Sequence, residues 1–271
     1  MTESYDMYRR DLWRDKADAY RRSFAGLCAH PVPLLLDAVR ASSTTRVLDV
    51  GCGTGTLTEA AAARGADVTA VDAEPSMVTA TAARVPSATT CVATLPGLPF
   101  PSASFDAVAA NFVVNHVARP AVAAADLARV TRAGGRVGVT VWPHPPPPLQ
   151  RLWDEVIAAA GVTKPPMPGV AAEDDFPRTS EGLGNLLRRA GVLDIESTIV
   201  EWDHRVDPEQ WWAGAAHGLA SIGYVVSRQD EATVLRMKAQ YDRLVRPHLD
   251  RQGLLCLPTS ALLAYGTAAA S

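Results

Sequence analysis

A doubly wound α/β fold, with a mostly parallel sheet and helices on both faces, is predicted for this chain. Two observations predict it. Short apolar runs alternate with alanine-rich helical segments between Arg46 and Trp142, and that alternation is how a parallel sheet with crossover helices reads in sequence. A run of three glycines, Gly51, Gly53 and Gly55, ends the first apolar run and opens the first of those helices. Glycine there permits a tight turn and a close backbone approach that a side chain would forbid.

The elements follow in order. Residues 8–25 read as one helix rich in aromatic and charged residues, and Pro31–Arg40 as a second. Arg46–Val50 is a buried strand, Thr56–Arg64 a helix stopped by Gly65, and Asp67–Val71 a strand that ends at Asp72. Pro75–Val85 is a helix with proline in its first turn, and Thr89–Ala93 and Phe105–Ala110 are strands. Ala121–Arg132 is a helix closed by Gly134-Gly135, and Arg136–Trp142 is the fifth strand. The proline run from Pro143 to Pro148 then forms a stiff connector. Helices are expected at 149–160, 180–190, 208–220 and 228–246, a sixth strand within Val192–Val206, and a last strand within Leu254–Thr267. One domain over 1–271 is expected: an N-terminal helical lid (1–43), a cofactor half (44–142) and a substrate half (143–271) whose added helices roof the carboxyl ends of the strands.

Composition narrows the function. The 271 residues are 48% hydrophobic, enough for a sizeable core, with a net charge of -3 and no basic stripe. Nothing therefore argues for nucleic acid as a partner. Cys28, Cys52, Cys91 and Cys256 are far apart and read as reduced thiols. Histidines and acids show no ligand spacing, so no metal is expected. No apolar run resembles a secretory leader or a bilayer span, and the expected compartment is the cytoplasm.

The strongest local signal is Val47-Leu-Asp-Val-Gly-Cys-Gly-Thr-Gly55. The turn presents the first N–H groups of a helix to whatever binds there. Asp72, at the end of the next strand, is placed to accept the two hydroxyl hydrogen bonds of a ribose. The arrangement binds a nucleoside. Its glycine spacing departs from the dinucleotide fingerprint Gly-x-Gly-x-x-Gly. Asp49, just before the turn, suits a ligand with a cationic end better than one with two phosphates.

Asp49-Val-Gly-Cys-Gly-Thr-Gly55 resembles the first motif of the class I S-adenosylmethionine-dependent methyltransferases. Ala70-Val-Asp72, Leu98-Pro-Phe-Pro with Phe105-Asp106, and Leu127–Arg136 resemble the family's later motifs, in order, over residues 46–142. The likeness is greatest to the branch acting on small molecules, including quinone and natural-product methyltransferases. The resemblance implies a Rossmann-like, seven-stranded sheet with its last strand antiparallel. It implies that Gly51, Gly53 and Gly55 approach the methionine and ribose of S-adenosylmethionine, and that Asp49 lies near the methionine ammonium. Asp72 would hold the ribose, and Ala73 and Met77 would touch the adenine. Relatives often carry an acid before the Leu-Pro-Phe stretch to bind the adenine amino group, whereas Thr94-Leu95 stand there in this chain.

Other residues carry two readings. Asn111 either faces the cofactor or caps a loop, and His116 is the candidate catalytic proton acceptor, with an ordinary pKa of about 6.5. Asp203-His204 is a surface turn rather than a dyad, because strand neighbours point to opposite faces. Trp211, Trp212 and His217 lie on a helix near the site entrance, and at most one of the tryptophans faces a given pocket. Tyr5, Tyr8, Trp13 and Tyr20 either fold over the cofactor, where aromatic faces hold a sulfonium, or pack a helix on the sheet edge. The expected acceptor is a mid-sized, partly apolar metabolite. The rival functions are a cofactor-binding protein that transfers no methyl and a nicotinamide-dependent oxidoreductase.

Overall fold

A computed structural model describes residues 2–269. Four helices precede the sheet: α1 (Thr2–Asp11), α2 (Ala17–Arg22), α3 (Ala25–Ala29) and α4 (Val32–Ala38). Then come β1 (Arg46–Val50), α5 (Thr56–Ala63), β2 (Asp67–Asp72), α6 (Pro75–Arg84), β3 (Thr89–Val92), β4 (Phe105–Asn111), α7 (Pro120–Val130) and β5 (Thr131–Val141). The rest is α8 (Pro148–Ala159), α9 (Ser180–Arg189), β6 (Val192–Val206), α10 (Pro208–Ala216), α11 (Ala220–Val226), α12 (Glu231–Val245) and β7 (Leu255–Ala268).

The seven strands lie in the order β3-β2-β1-β4-β5-β7-β6. β1 to β5 are parallel, and β7 runs antiparallel between β5 and β6. The chain leaves β1 toward β2 on one side and later returns to β4 on the other. The strand order reverses there, and a crevice opens above the carboxyl ends of β1 and β4.

Alternation along β1 separates two cores. Val47 packs with Val68, Ala107 and Ala109 beneath Leu35 and Leu36 of α4 and Leu57 of α5. Leu48 and Val50 face the other way, with Val108, Val137 and Val139 against Leu127 of α7 and Leu183 of α9. A third cluster joins α3, α8, α10, α11 and α12 through Leu27, Trp153, Trp211, Ile222, Met237 and Tyr241. Each fully buried large apolar side chain contributes about 1.5–3 kcal/mol, so these added helices are held by a core of their own. Side-chain caps fix where they start: Thr179 accepts from Gly182 N at 3.0 Å, and Asp207 from Glu209 N at 2.8 Å.

Four sequence expectations are corrected. Residues 8–25 are not one helix. α1 ends at Asp11, Asp15 takes a φ of 57°, and the chain turns before α2. Gly134-Gly135 do not close a helix but belong to β5, which begins at Thr131. A Cβ on Gly135 would stand 2.7 Å from Asp106 O, so a close approach to β4 requires the glycine. Asp203-His204 is not a turn, since β6 continues to Val206 and pairs with β7 without a break from Glu196 onward. As strand geometry requires, Asp203 is exposed and His204 buried. The helix expected at 208–220 is two, α10 and α11, parted by Gly218 with its φ of 76°. No described helix is long and apolar enough to cross a membrane.

Candidate functional site

A cavity of about 830 Å³ occupies the crevice. Its floor is the turn after β1. Gly51 N and Cys52 N both donate to Val71 O, at 2.7 and 3.0 Å, which pins the turn to β2. Gly51, Gly53 and Gly55 take φ values of 70°, 54° and 84°, a region that favours glycine. Gly51 and Gly53 line the cavity. Gly55 does not, and instead forms the left-handed N-cap of α5 against Thr81.

Asp72 closes the floor. Its two carboxylate oxygens accept from Gly53 N and Glu74 N, each at 2.9 Å. Burial pushes its pKa up, opposed by those backbone N–H groups. Asp49 lies beneath the lining rather than in it. Thr58 Oγ1 donates to one of its oxygens at 2.6 Å, and the other is buried without a partner. Burial pushes its carboxyl up to about 7; the Thr58 hydroxyl opposes this, and the nearby charge of Asp72 adds to it.

Beyond Asp72, Ala73, Met77, Thr94 and Leu95 wall one end of the cavity. Asn111 ends β4. It lines the cavity, yet its amide is engaged, donating to Cys28 O at 2.9 Å and accepting from Thr140 Oγ1 at 2.6 Å. His116 closes the 3₁₀ turn Val114–His116 that directly follows β4 and also lines the cavity. Its Nε2 stands 3.5 Å from Arg9 Nη2.

The N-terminal segment covers part of the opening. Tyr20 lies over the glycine turn, within 3.4 Å of where a Gly53 Cβ would stand. Trp13 meets Tyr20 and His116 edge to face, with ring centres 5.7 and 5.9 Å away. Tyr5 and Tyr8 do not line the cavity. Tyr5 is buried with its hydroxyl donating to Asn115 O at 3.3 Å, and Tyr8 packs edge-on against Tyr224 of α11.

The opposite wall is apolar: Phe24, Trp142, Trp153, Ile157, Trp211 and Ile222. Of the tryptophan pair only Trp211 lines the cavity; Trp212 is turned into the helical core, and His217 stands outside. His204 is also outside, near Trp211, and burial pushes its pKa down to about 4. Among the described residues no cluster of three His, Cys, Asp or Glu side chains could hold a metal. Sequence reasoning missed Arg9, Phe24, Trp142, Trp153 and Gln150 as lining residues. They come from four separate segments, and only the fold brings them together.

Residues 48–139 match the sequence model of a methyltransferase domain family. Over 128 residues the chain is 38% identical to a demethylmenaquinone methyltransferase of Renibacterium salmoninarum, covering 47% of this chain and 54% of that one. The chain thus spans about half the length of the curated relatives it matches. A putative methyltransferase from an antibiotic biosynthesis pathway of Anabaena variabilis has a similar fold, with a TM-score of 0.64 at 17% identity over 88% of this chain and 96% of that one. A phosphoethanolamine N-methyltransferase of Haemonchus contortus, solved with phosphomonomethylethanolamine and S-adenosylhomocysteine, has a TM-score of 0.56 at 15% identity, over 97% of this chain and 60% of that one.

Proposed function

We propose that this chain, whose residues 48–139 match a methyltransferase domain family, is a class I S-adenosylmethionine-dependent methyltransferase that moves a methyl group from S-adenosylmethionine to a small, partly apolar acceptor. The observation that carries this reading is the shape of one cavity. A glycine turn tied to Asp72 forms one end, and a wall of tryptophans and aliphatic side chains forms the other.

The residues present fit the cofactor. Gly51 and Gly53 leave a floor without side chains, and Asp72 is a carboxylate at a strand end with both oxygens at the cavity margin. The partnerless oxygen of Asp49 is a buried acceptor just below, suited to a methionine ammonium directly or through water. Ala73, Met77, Thr94 and Leu95 form an adenine pocket without an acid. In it the Thr94 hydroxyl or a backbone carbonyl takes the amino group. Gly55 acts behind the turn by starting α5, and Asn111 acts by holding α3 against β4.

S-adenosylmethionine supplies an electrophilic methyl on a sulfonium. The protein's part is alignment and dryness. Holding acceptor and methyl in line is worth about 7–11 kcal/mol of the barrier, and Trp13 and Tyr20 exclude water from that line. Where the acceptor keeps a proton, His116 is the side chain in the lining suited to take it. The Renibacterium relative is a demethylmenaquinone methyltransferase, and the tryptophan wall of this chain suits a planar quinone ring.

The test has two stages. Calorimetry with S-adenosylmethionine and, separately, NADH decides the cofactor. Transfer of a labelled methyl to a panel of quinols, phenols and amines then decides the activity. Tight S-adenosylmethionine binding with no product across the panel would favour a binding protein instead, and NADH binding alone would favour an oxidoreductase.

A further inference from the structure

This inference rests on the methyltransferase reading and concerns the acceptor. Arg9 lines the cavity, its Nε is buried without an acceptor, and among the described residues no carboxylate pairs with it. Its neighbours are the Tyr5 ring, 6.0 Å from the guanidinium carbon, and His116 Nε2. Burial pushes its pKa down, but from a starting value so high that it stays a cation.

Of the other cations of the lining, Arg10, Arg119 and Lys164 are exposed to water and Arg178 is half-buried. Lys164 pairs with Asp154 at 2.6 Å, and Arg178 with Asp175 at 2.7 Å. A buried charge without a counter-charge is costly, and folds keep one where something else supplies the partner. In the same lining, Gln150 Nε2 and Trp211 Nε1 are further donors without acceptors, and Asn115 Oδ1 is an acceptor without a donor. The lining also holds the carboxylates of Asp6, Asp72, Glu74 and Asp154, yet none of them pairs with Arg9, whose charge is left unanswered.

Position decides which ligand brings the answering anion. Tyr20 lies on the glycine turn, Trp13 lies against Tyr20, and His116 with Arg9 lies beyond Trp13. Arg9 is thus linked to the turn only through the successive rings of His116, Trp13 and Tyr20 in these contacts. α1, which carries Arg9, packs through Tyr8 on Tyr224 of α11, on the side of the added helices. We propose that the acceptor is an aromatic carboxylate, its charge held by Arg9 and its ring laid against the wall of Trp142, Trp153 and Trp211.

Equilibrium binding to the full chain tests this with naphthoate, indole-acetate and phenylpropionate, each beside its neutral amide. The carboxylates should bind better than their amides. Arg9→Gln should weaken carboxylate binding by about 10-fold or more, leave the amides unchanged and leave S-adenosylhomocysteine affinity unchanged. Arg9→Lys should retain part of the preference. Three outcomes would overturn the proposal: no carboxylate preferred over its amide in the wild type, an Arg9→Gln variant with the preference intact, or loss of S-adenosylhomocysteine affinity on Arg9→Gln. The last would assign the guanidinium to the cofactor. A wild type that fails to bind S-adenosylhomocysteine at all sinks the methyltransferase reading. The carboxylate preference is still measured in that case, so the two failures are separable.

Discussion

The carboxylate of Asp72 accepts a 2.9 Å hydrogen bond from the backbone nitrogen of Gly53, so the acid at the end of β2 holds the turn at the end of β1. One side chain thereby shapes the floor and faces the cavity. Asp72→Ala removes both contributions. Affinity for S-adenosylmethionine should fall by about 10- to 150-fold, the value of a charged hydrogen bond, while the variant remains folded. Unchanged affinity by calorimetry would remove Asp72 from the site.

Gly53 and Gly51 should fail differently when substituted. Gly53→Val places a β-branched residue at a φ of 54° beneath Tyr20, where it fills the floor. Cofactor binding should disappear from a chain that still folds. A Cβ on Gly51 would stand 2.4 Å from Val113 Cγ2, inside any tolerable contact. Gly51→Ala should therefore cost about 1–3 kcal/mol of stability by overpacking, and adding Val113→Ala should restore part of it. Calorimetry with S-adenosylmethionine on Gly53→Val, and thermal unfolding of all three variants, check these expectations.

Asp49 makes stability and binding depend on pH in opposite senses. Its carboxyl is pushed up to about 7 in the folded chain, above its ordinary value of 3.8, so between those values the folded state holds the extra proton. Stability contributed by this group is therefore present below the lower value and is lost as pH rises toward 7. Asp49→Asn should flatten that fall and be the more stable protein above neutrality. An ammonium near the carboxylate would favour its ionised form. S-adenosylhomocysteine should then bind with proton release near pH 7, seen as a dependence of binding heat on buffer ionisation. Equal heats in all buffers would separate Asp49 from the ligand.

Deleting residues 1–15 removes α1, Trp13 and the hydrogen bond from Asp15 N to Glu74, but spares Tyr20 on the glycine turn. Single-turnover methyl transfer should fall by at least about 100-fold, as expected when reacting groups lose their enclosure. Melting temperature should fall only by the packing of Tyr5 and Leu12, about 2–4 °C for each kcal/mol in a domain of this size. Full activity, or collapse of the fold, would show the segment to be ordinary core.

Much of this was legible in the sequence, for definite physical reasons. β1, α5, β2 and α6 fall within a residue or two of where Arg46–Val50, Gly65, Asp72 and Pro75 put them. In each case a local rule, an apolar run or a glycine or proline stop, agrees with the tertiary outcome. Local rules failed where a partner decides the conformation. Gly134-Gly135 look like a helix stop until the approach of β4 is known. Asp203-His204 look like a turn because alternation on an edge strand is hard to tell from polar loop. In the site, Asp72, Gly51 and Gly53 were legible because a motif holds them at fixed spacing. Arg9 was not, because its meaning lies in the absence of a paired acid, which only three dimensions reveal.

The placement of β7 bears on how the chain can be made. β6 touches the rest of the sheet only through β7, which pairs with β5 on its other side. During synthesis the five parallel strands can associate once Val141 has left the ribosome, and folding from the N-terminal end is the general rule. β6, although already made, has no hydrogen-bonding partner until residues 255–268 follow it. Throughout that interval two edges lie open, those of β5 and β6, each waiting for the same strand. A nascent chain stalled between Val206 and Leu255 should therefore be the species most in need of a chaperone.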